Sequence, residues 1–413
     1  MTWALQVQAQ EDDDANALML ADQAPAQVAR SSNWRNLVEG AAGESTPRDN
    51  ADQGVQRISL DIRYDGGVAP GWRLLFSDRL DLNAPPQTPG DNAINTLKEA
   101  YLSWQAAEYL SLDFGRINVR NGQAQGYNPT DFFKVGATRS FVSADPQSLK
   151  ENRQGSFMLR GQQLWSGGSL TALYSPKLAN QPDRDAYSLD FGSTNNVNRS
   201  LLVYSPKWSE TISPQFLLFH QDQTSPQMGL NLAALLNDST VFGFEWTGGQ
   251  SLSQFNQALA QQGIAHADDS AFYQRWAVGL TYTTANKMSF SAEVEYNGAG
   301  MSQSDWNHLR STTPGVYGVY ANWVQARQEL PTQHATFLYF NWQDAFVSRL
   351  DISAMQRYDL ADDSSMNWLE ARYHLLDRTE IALQCQRNQG GALSDYGALP
   401  VKQNVLLVLR RYF

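Results

Sequence analysis

The sequence predicts an all-β fold: a transmembrane, antiparallel, up-and-down β-barrel, most simply of 18 strands, with short turns at one rim and long loops at the other. Three observations lead there. Apolar residues recur at every second position from about residue 34 onward, the period of a strand with one apolar face. The connections between these segments alternate between short and long, the layout of barrels with periplasmic turns and outward loops. The composition is polar without being charged: of 413 residues, 18% are Asp, Glu, Lys or Arg, while aromatics reach 11% with 12 Trp. Soluble domains carry about 25% charged residues. Mean hydropathy is −0.46, and no run of about 18 apolar residues exists to form a membrane-spanning helix.

The strands follow in order. The first, 34–43, alternates least cleanly at Trp34, Leu37 and Val38. In the second, 55–64, Ile58, Leu60, Ile62 and Tyr64 share one face, and Arg57, Ser59, Asp61 and Arg63 the other. Segments 70–80, 95–105, 108–117, 154–165, 168–176, 198–206, 211–221, 227–236 and 239–248 come next. At 272–284, Trp276, Val278, Leu280 and Tyr282 oppose Arg275, Gly279, Thr281 and Thr283. At 287–297, Met288, Phe290, Ala292, Val294 and Tyr296 oppose Ser289, Ser291, Glu293, Glu295 and Asn297. Segments 334–342, 345–357, 365–375, 378–388 and 402–413 complete the set; Phe346, Leu350, Ile352 and Ala354 oppose Arg349, Asp351, Ser353 and Arg357 in the second of these.

An even count suits a single-chain bacterial barrel. Segment 315–324 also has strand character, so sixteen and twenty are the alternative counts. A sandwich would bury the apolar faces under a second sheet. A barrel in lipid turns them outward and lines a wet lumen with the polar faces. The Tyr-Ser-Pro-Lys repeats at 174–177 and 204–207 read as strand ends, where proline removes no ladder donor. The Gln-rich stretch 253–266 suits a short outer helix, and the Trp and Tyr content suits aromatic girdles at the two membrane interfaces.

Ahead of the barrel, residues 1–9 resemble the stump of a signal peptide, without its basic start or a full apolar core. Residues 10–33 form an acidic, Ala- and Gln-rich arm suited to the periplasm. The barrel domain is then 34–413. The net charge of −11 supplies no basic stripe for nucleic acid. The single Cys385 forbids an intramolecular disulfide, and the five scattered His show no ligand spacing, so neither a metal nor another cofactor is expected.

The last segment, Asn404-Val-Leu-Leu-Val-Leu-Arg-Arg-Tyr-Phe413, resembles the C-terminal recognition strand of Gram-negative outer-membrane barrels. Phe413, Leu409, Leu407 and Val405 occupy the matching places; Arg411 departs from the pattern, where an apolar or aromatic residue is usual. The resemblance implies residence in the bacterial outer membrane, and the barrel-assembly machinery as a transient partner that reads the Phe413 strand. Trimers are common among such barrels, so a homo-oligomer is a further expectation.

The third outward loop, 118–153, is the best functional candidate, since loops of this length are usually functional. Gly115-Arg-Ile-Asn-Val-Arg120 and Gly126-Tyr-Asn-Pro-Thr-Asp-Phe-Phe133 loosely resemble a stretch of substrate-specific porin-like and alginate-export-like families. In porin-like barrels the third loop folds inward and sets the constriction. A constriction narrows the pore and places fixed charge where a solute sheds water. The candidates are Arg116, Arg120, Asp131, Lys134, Arg139, Arg153 and Arg160.

With 24 Arg and 7 Lys, the lumen has either an Arg ladder for anionic solutes or Arg–carboxylate pairs that stiffen neighbouring strands. Neither a G-x-S-x-G elbow nor a phosphate loop occurs, and Glu293 and Glu295 read as lumenal charges rather than a hydrolytic pair. The expected function is therefore a non-enzymatic outer-membrane channel for diffusion or selective passage of small polar solutes, with anionic solutes as the option the Arg ladder would add. The alternative is an export conduit or secretion-complex component whose 10–33 arm docks a periplasmic partner.

Overall fold

The computed structural model describes residues 32–87 and 92–413. The expected segment 1–9 and most of the 10–33 arm lie outside the described residues. Eighteen strands form one closed antiparallel sheet. They are β1 (Trp34–Pro47), β2 (Gln53–Ala69), β3 (Trp72–Ala84), β4 (Ala93–Ala107), β5 (Leu110–Ile117) and β6 (Ser156–Trp165). Then come β7 (Gly168–Ser175), β8 (Arg199–Pro206), β9 (Ile212–Gln221), β10 (Gln227–Asn237), β11 (Thr240–Ser251) and β12 (Ala271–Thr283). The last are β13 (Met288–Asn297), β14 (His334–Trp342), β15 (Leu350–Asp359), β16 (Ser365–Leu376), β17 (Thr379–Gln389) and β18 (Val401–Tyr412). Each strand pairs with its sequence neighbours. β1 closes the ring on β18, from Leu37 opposite Tyr412 to Pro47 opposite Val401. Closure removes the sheet edges, which lipid would leave unsatisfied.

Alternation explains the burial. Ile58, Phe114, Leu159, Leu383 and Leu407 are all more than half exposed on the outer face, where lipid replaces water. Aromatic pairs sit across neighbouring strands near the short turns: Trp72 and Trp104 stack at 5.5 Å, and Trp34 meets Tyr64 at 5.0 Å. Both Tyr-Ser-Pro-Lys segments end a strand, β7 at Ser175 and β8 at Pro206. At the closing seam, Phe413 N donates to Asn36 O at 2.9 Å. The unusual Arg411 lies 5.8 Å over the Phe413 ring, so its charge shields the terminal aromatic.

Two expectations are corrected. Segment 315–324 is helical, which leaves the count at eighteen. Among the described residues five helices decorate the loops: α1 (Pro146–Glu151), α2 (Phe191–Thr194), α3 (Gln254–Gln261), α4 (Gln303–Thr312) and α5 (Pro314–Arg327). α5 starts on a proline, whose fixed φ suits a first turn. It buries Tyr317, Tyr320, Trp323 and Val324 at helical spacing against Trp306, Leu309 and Ala258. β15 starts at Leu350 rather than 345, because Asp344, Phe346 and Arg349 adopt positive φ in a turn. There Asp344 Oδ1 accepts from Arg349 N at 2.7 Å, and Phe346 lies outside the strand.

The inner face is not uniformly polar, as a wet lumen would require. Leu75, Tyr101, Ile117, Met158, Leu173, Leu201, Leu217 and Phe219 point inward from β3 to β9 and form an apolar cluster. It is covered by Val119, Phe132 and Phe133 of the third loop, so water does not reach it.

Candidate functional site

Residues 118–153 leave the rim between β5 and β6 and bond to strands on the far side of the ring. Four successive backbone N–H groups of the apex are taken by two carboxylates. Glu245 Oε1, on β11, accepts from Gln123 N and Ala124 N, and its Oε2 accepts from Thr130 Oγ1 at 3.0 Å. Glu293, on β13, accepts from Gln125 N at 2.8 Å and Gly126 N at 2.9 Å. Arg357, on β15, donates to Gly126 O at 2.7 Å. Successive amide hydrogens facing one way make an anion-binding concavity, here filled by wall carboxylates.

Glycine makes the approach possible. A Cβ at Gly126 would collide with Glu295 and Phe337. Gly122 has φ +83 and faces the Glu245 carboxylate, a backbone region where a Cβ is strained. Further contacts continue along the loop. Tyr339 Oη donates to Asp145 at 3.3 Å, Arg57 Nη1 to Val142 O at 3.1 Å, and Lys150 Nζ to Ala124 O at 3.1 Å. Burial lowers the Lys150 ammonium from its ordinary value, against the pull of Glu245 and Asp131.

The seven sequence candidates go to different places. Asp131 and Arg153 form a bidentate pair at 2.6 and 3.2 Å, and Arg153 also binds Asn118 Oδ1 at 2.8 Å, a staple at the base of the loop. Lys134 pairs with Glu329 at 3.2 Å and lies 4.9 Å over Tyr127, whose hydroxyl donates to Glu329 at 2.6 Å. Burial opposes ionisation of Glu329, but the Lys134 and Arg275 charges and the Tyr127 hydrogen bond hold its carboxyl below the ordinary range. Arg139 donates to the Ser188 and Asp185 carbonyls of the fourth loop.

Arg116 has the strand parity of the outward Phe114, not of the inward Asp113. It sits beneath the fourth loop, donating to Leu189 O at 2.5 Å and lying 4.9 Å over Phe191. Arg160 does face inward, paired with Asp113 at 2.8 Å. Arg120 is exposed and makes no ion pair among the described residues. The structure therefore brings together only Asp131 and Arg153 of the seven. The residues that hold the loop, Glu245, Glu329, Gly122, Gly126, Phe132 and Phe133, were not among them.

Many inner-wall charges are paired. Glu39 gathers Arg57, Arg79 and Arg410 at 2.8–2.9 Å. In three of these pairs the carboxylate is the more buried member, whereas Lys98–Asp61 and Lys134–Glu329 run the other way. Side-chain exposure is 21% for Arg160 against 1% for Asp113, 36% for Arg372 against 2% for Glu370, and 13% for Arg410 against 3% for Glu39. These three pairs turn their guanidinium groups toward the open space.

Comparison with solved structures places this architecture. The chain aligns over 93% of its length with 98% of OccK8 (OprE) from Pseudomonas aeruginosa, at 9% identity and a TM-score of 0.56. OccAB1 from Acinetobacter baumannii matches over 95% of this chain and 99% of its own, at 10% identity and a TM-score of 0.57. Pseudomonas aeruginosa OpdL gives 12% identity and a TM-score of 0.55 over 93% and 99%. These are outer-membrane porins. The chain has the porin barrel fold. No protein-family model matches it, and no curated protein matches it in sequence. The likeness is thus one of backbone, and the porin-type barrel must be read for function from its own side chains.

Proposed function

We propose that the protein is an outer-membrane channel for small polar solutes, in which residues 118–153 narrow the lumen and the exposed guanidinium groups favour anions. The observation that carries this is the clamp across the barrel. Backbone amides 123–126 on Glu245 and Glu293 hold the loop at a fixed depth against the far wall. A constriction needs such rigidity, because selectivity depends on where charge stands relative to a desolvating solute. Arg120, Arg160 and Arg372 supply positive charge to the remaining space: Arg120 has no ion pair among the described residues, and Asp113 and Glu370 are buried. Non-enzymatic passage agrees with the carboxylates being engaged in the clamp and the pairs. The Phe413 strand is the segment the barrel-assembly machinery would read.

Planar-bilayer recording tests the proposal. Wild-type protein should conduct, and deletion of residues 121–150 should raise single-channel conductance severalfold. In a KCl gradient the reversal potential should report anion preference, reduced in Arg160→Ala/Arg372→Ala. A folded barrel that conducts in neither form, or equally in both, refutes the constriction.

A further inference from the structure

On the long-loop side lies a cavity of about 990 Å³, between residues 135–139 of the third loop, residues 182–196 of the fourth, α3 and α5. Its walls are tied together, with Gln328 Nε2 donating to Thr138 Oγ1 at 2.9 Å. Val135 and Gln328 line it and flank the Lys134–Glu329 ion pair, so it opens directly above the loop that crosses the barrel. Small-molecule sites occupy about 300–1,000 Å³. A single small ion would leave most of this space to water.

The lining defines what would fill it. Arg184 is exposed and makes no ion pair among the described residues. Arg327 lies 4.5 Å over the Trp323 ring and donates to the neutral Gln261 at 3.3 Å, with no carboxylate in pairing distance among the described residues. The acid in the wall, Asp190, is buried and already accepts from Asp183 N at 2.9 Å and Ser193 N at 3.2 Å. The cavity therefore holds two guanidinium groups whose donors meet no carboxylate among the described residues. Between them stand primary amides, Asn196, Asn322, Gln261, Gln262 and Gln325. Each amide offers a donor and an acceptor side by side, which matches neighbouring hydroxyls on one molecule. Gly315 and Gly318 leave α5 bare along this wall, since a Cβ at either would meet nothing within 4 Å. Apolar side chains are a minority, which disfavours a lipid or an unsubstituted aromatic.

We propose that this vestibule is a capture site for a short acidic oligosaccharide, with its acid group on Arg184 and Arg327 and its hydroxyls on the amides. Guanidinium binds an oxyanion through two parallel N–H donors, and the amides discriminate a sugar from a simple anion. The site is separate from the barrel-crossing clamp, and capture does not require the pore to conduct.

Calorimetric titration of the full-length protein in detergent tests this, with folding scored by heat-modifiable gel mobility. The probes are trigalacturonate, its neutral counterpart maltotriose, and citrate as an anion without sugar rings. Trigalacturonate should bind at least tenfold more tightly than either of the others. Arg184→Gln/Arg327→Gln should weaken it at least tenfold. Arg184→Gln alone, at an exposed position that folding does not need, should weaken it at least threefold. Absence of trigalacturonate binding to folded wild-type protein overturns the proposal. So does citrate binding as tightly as trigalacturonate, or affinity within twofold of wild type in the double variant. Conductance is measured separately, so failure here leaves the channel reading standing, and a silent pore leaves the capture site standing.

Discussion

On the β3–β9 side of the inner wall, the third loop is seated by apolar contact: Phe132 stacks on Phe219 at 4.4 Å, and Phe133 meets the same ring edge-on at 6.2 Å. On the β11–β15 side, the same loop is held mainly by hydrogen bonds to Glu245, Glu293 and Arg357, with Ala144 against Phe337, Met355 and Trp368 as the small apolar exception. The two attachments differ in kind. Apolar packing is non-directional and involves no ionisation. Carboxylate–amide bonds are directional, depend on ionisation, and fail if the backbone shifts by a fraction of an ångström. One side works as a seat and the other as a latch, and variants can separate them.

The largest effect is expected from the seat. Phe133 is 3% exposed, with the Arg199 guanidinium 4.5 Å over its ring. Phe133→Ala should cost about 3–5 kcal/mol, the usual range for emptying a packed aromatic site. It should lower the thermal midpoint measured by tryptophan fluorescence in detergent. A midpoint unchanged within error would show that the apolar cluster does not hold the loop.

Next comes the latch. Gly126→Val forces a side chain into Glu295 and Phe337, and overpacking of this sort costs about 1–3 kcal/mol. Because the seat is intact, the barrel should remain folded while the apex is released. Limited proteolysis should then cut within 121–130, and open-channel conductance should rise. Glu245→Gln should do the same more weakly, since an amide oxygen still accepts, at about 0.5–1.5 kcal/mol per bond where a charged acceptor gives about 1.5–3. A loop equally resistant to protease in both variants would place the decisive attachment on the seat alone.

The strands were readable because a barrel wall in lipid imposes period two on every segment, and all eighteen appear within a few residues of the sequence positions. The two-sided character of the wall was present too, in Leu201-Leu202-Val203 and Phe216-Leu217-Leu218-Phe219, apolar on both faces and therefore covered from inside as well as out. Alternation alone does not weigh such runs. The outward placement of Arg116 follows from its parity with Leu112 and Phe114. The latch was not legible, because Glu245 and Gln123 lie 122 residues apart and meet only through closure of the ring. Gly122 and Gly126 marked a close backbone approach without saying to what. Segment 315–324 misled because its aromatic spacing fits a helix at Tyr317, Tyr320 and Trp323 as well as a strand.

The smallest effect is a pH dependence confined to one tie between loop and outer helices. Glu329 joins Tyr127 and Lys134 of the loop to Arg275 on β12 and Gln254 on α3. Burial opposes its ionisation, yet Lys134, Arg275 and the Tyr127 hydroxyl hold the carboxyl below its ordinary value of 4.5. A folded-state value below the unfolded one means the tie contributes its full stabilisation above pH 4.5 and loses it as pH falls through the lower folded value. Open-channel noise should therefore rise as pH is lowered from 4.5 toward 3. The Phe132 and Phe133 seat, which has no ionisable group of its own, should keep the loop inside the barrel throughout. Glu329→Gln should show raised noise already at pH 7 and a smaller step on acidification. If the acid step survives in Glu329→Gln at full size, Glu329 is not the titrating group, and the pH-sensitive attachment is not this tie.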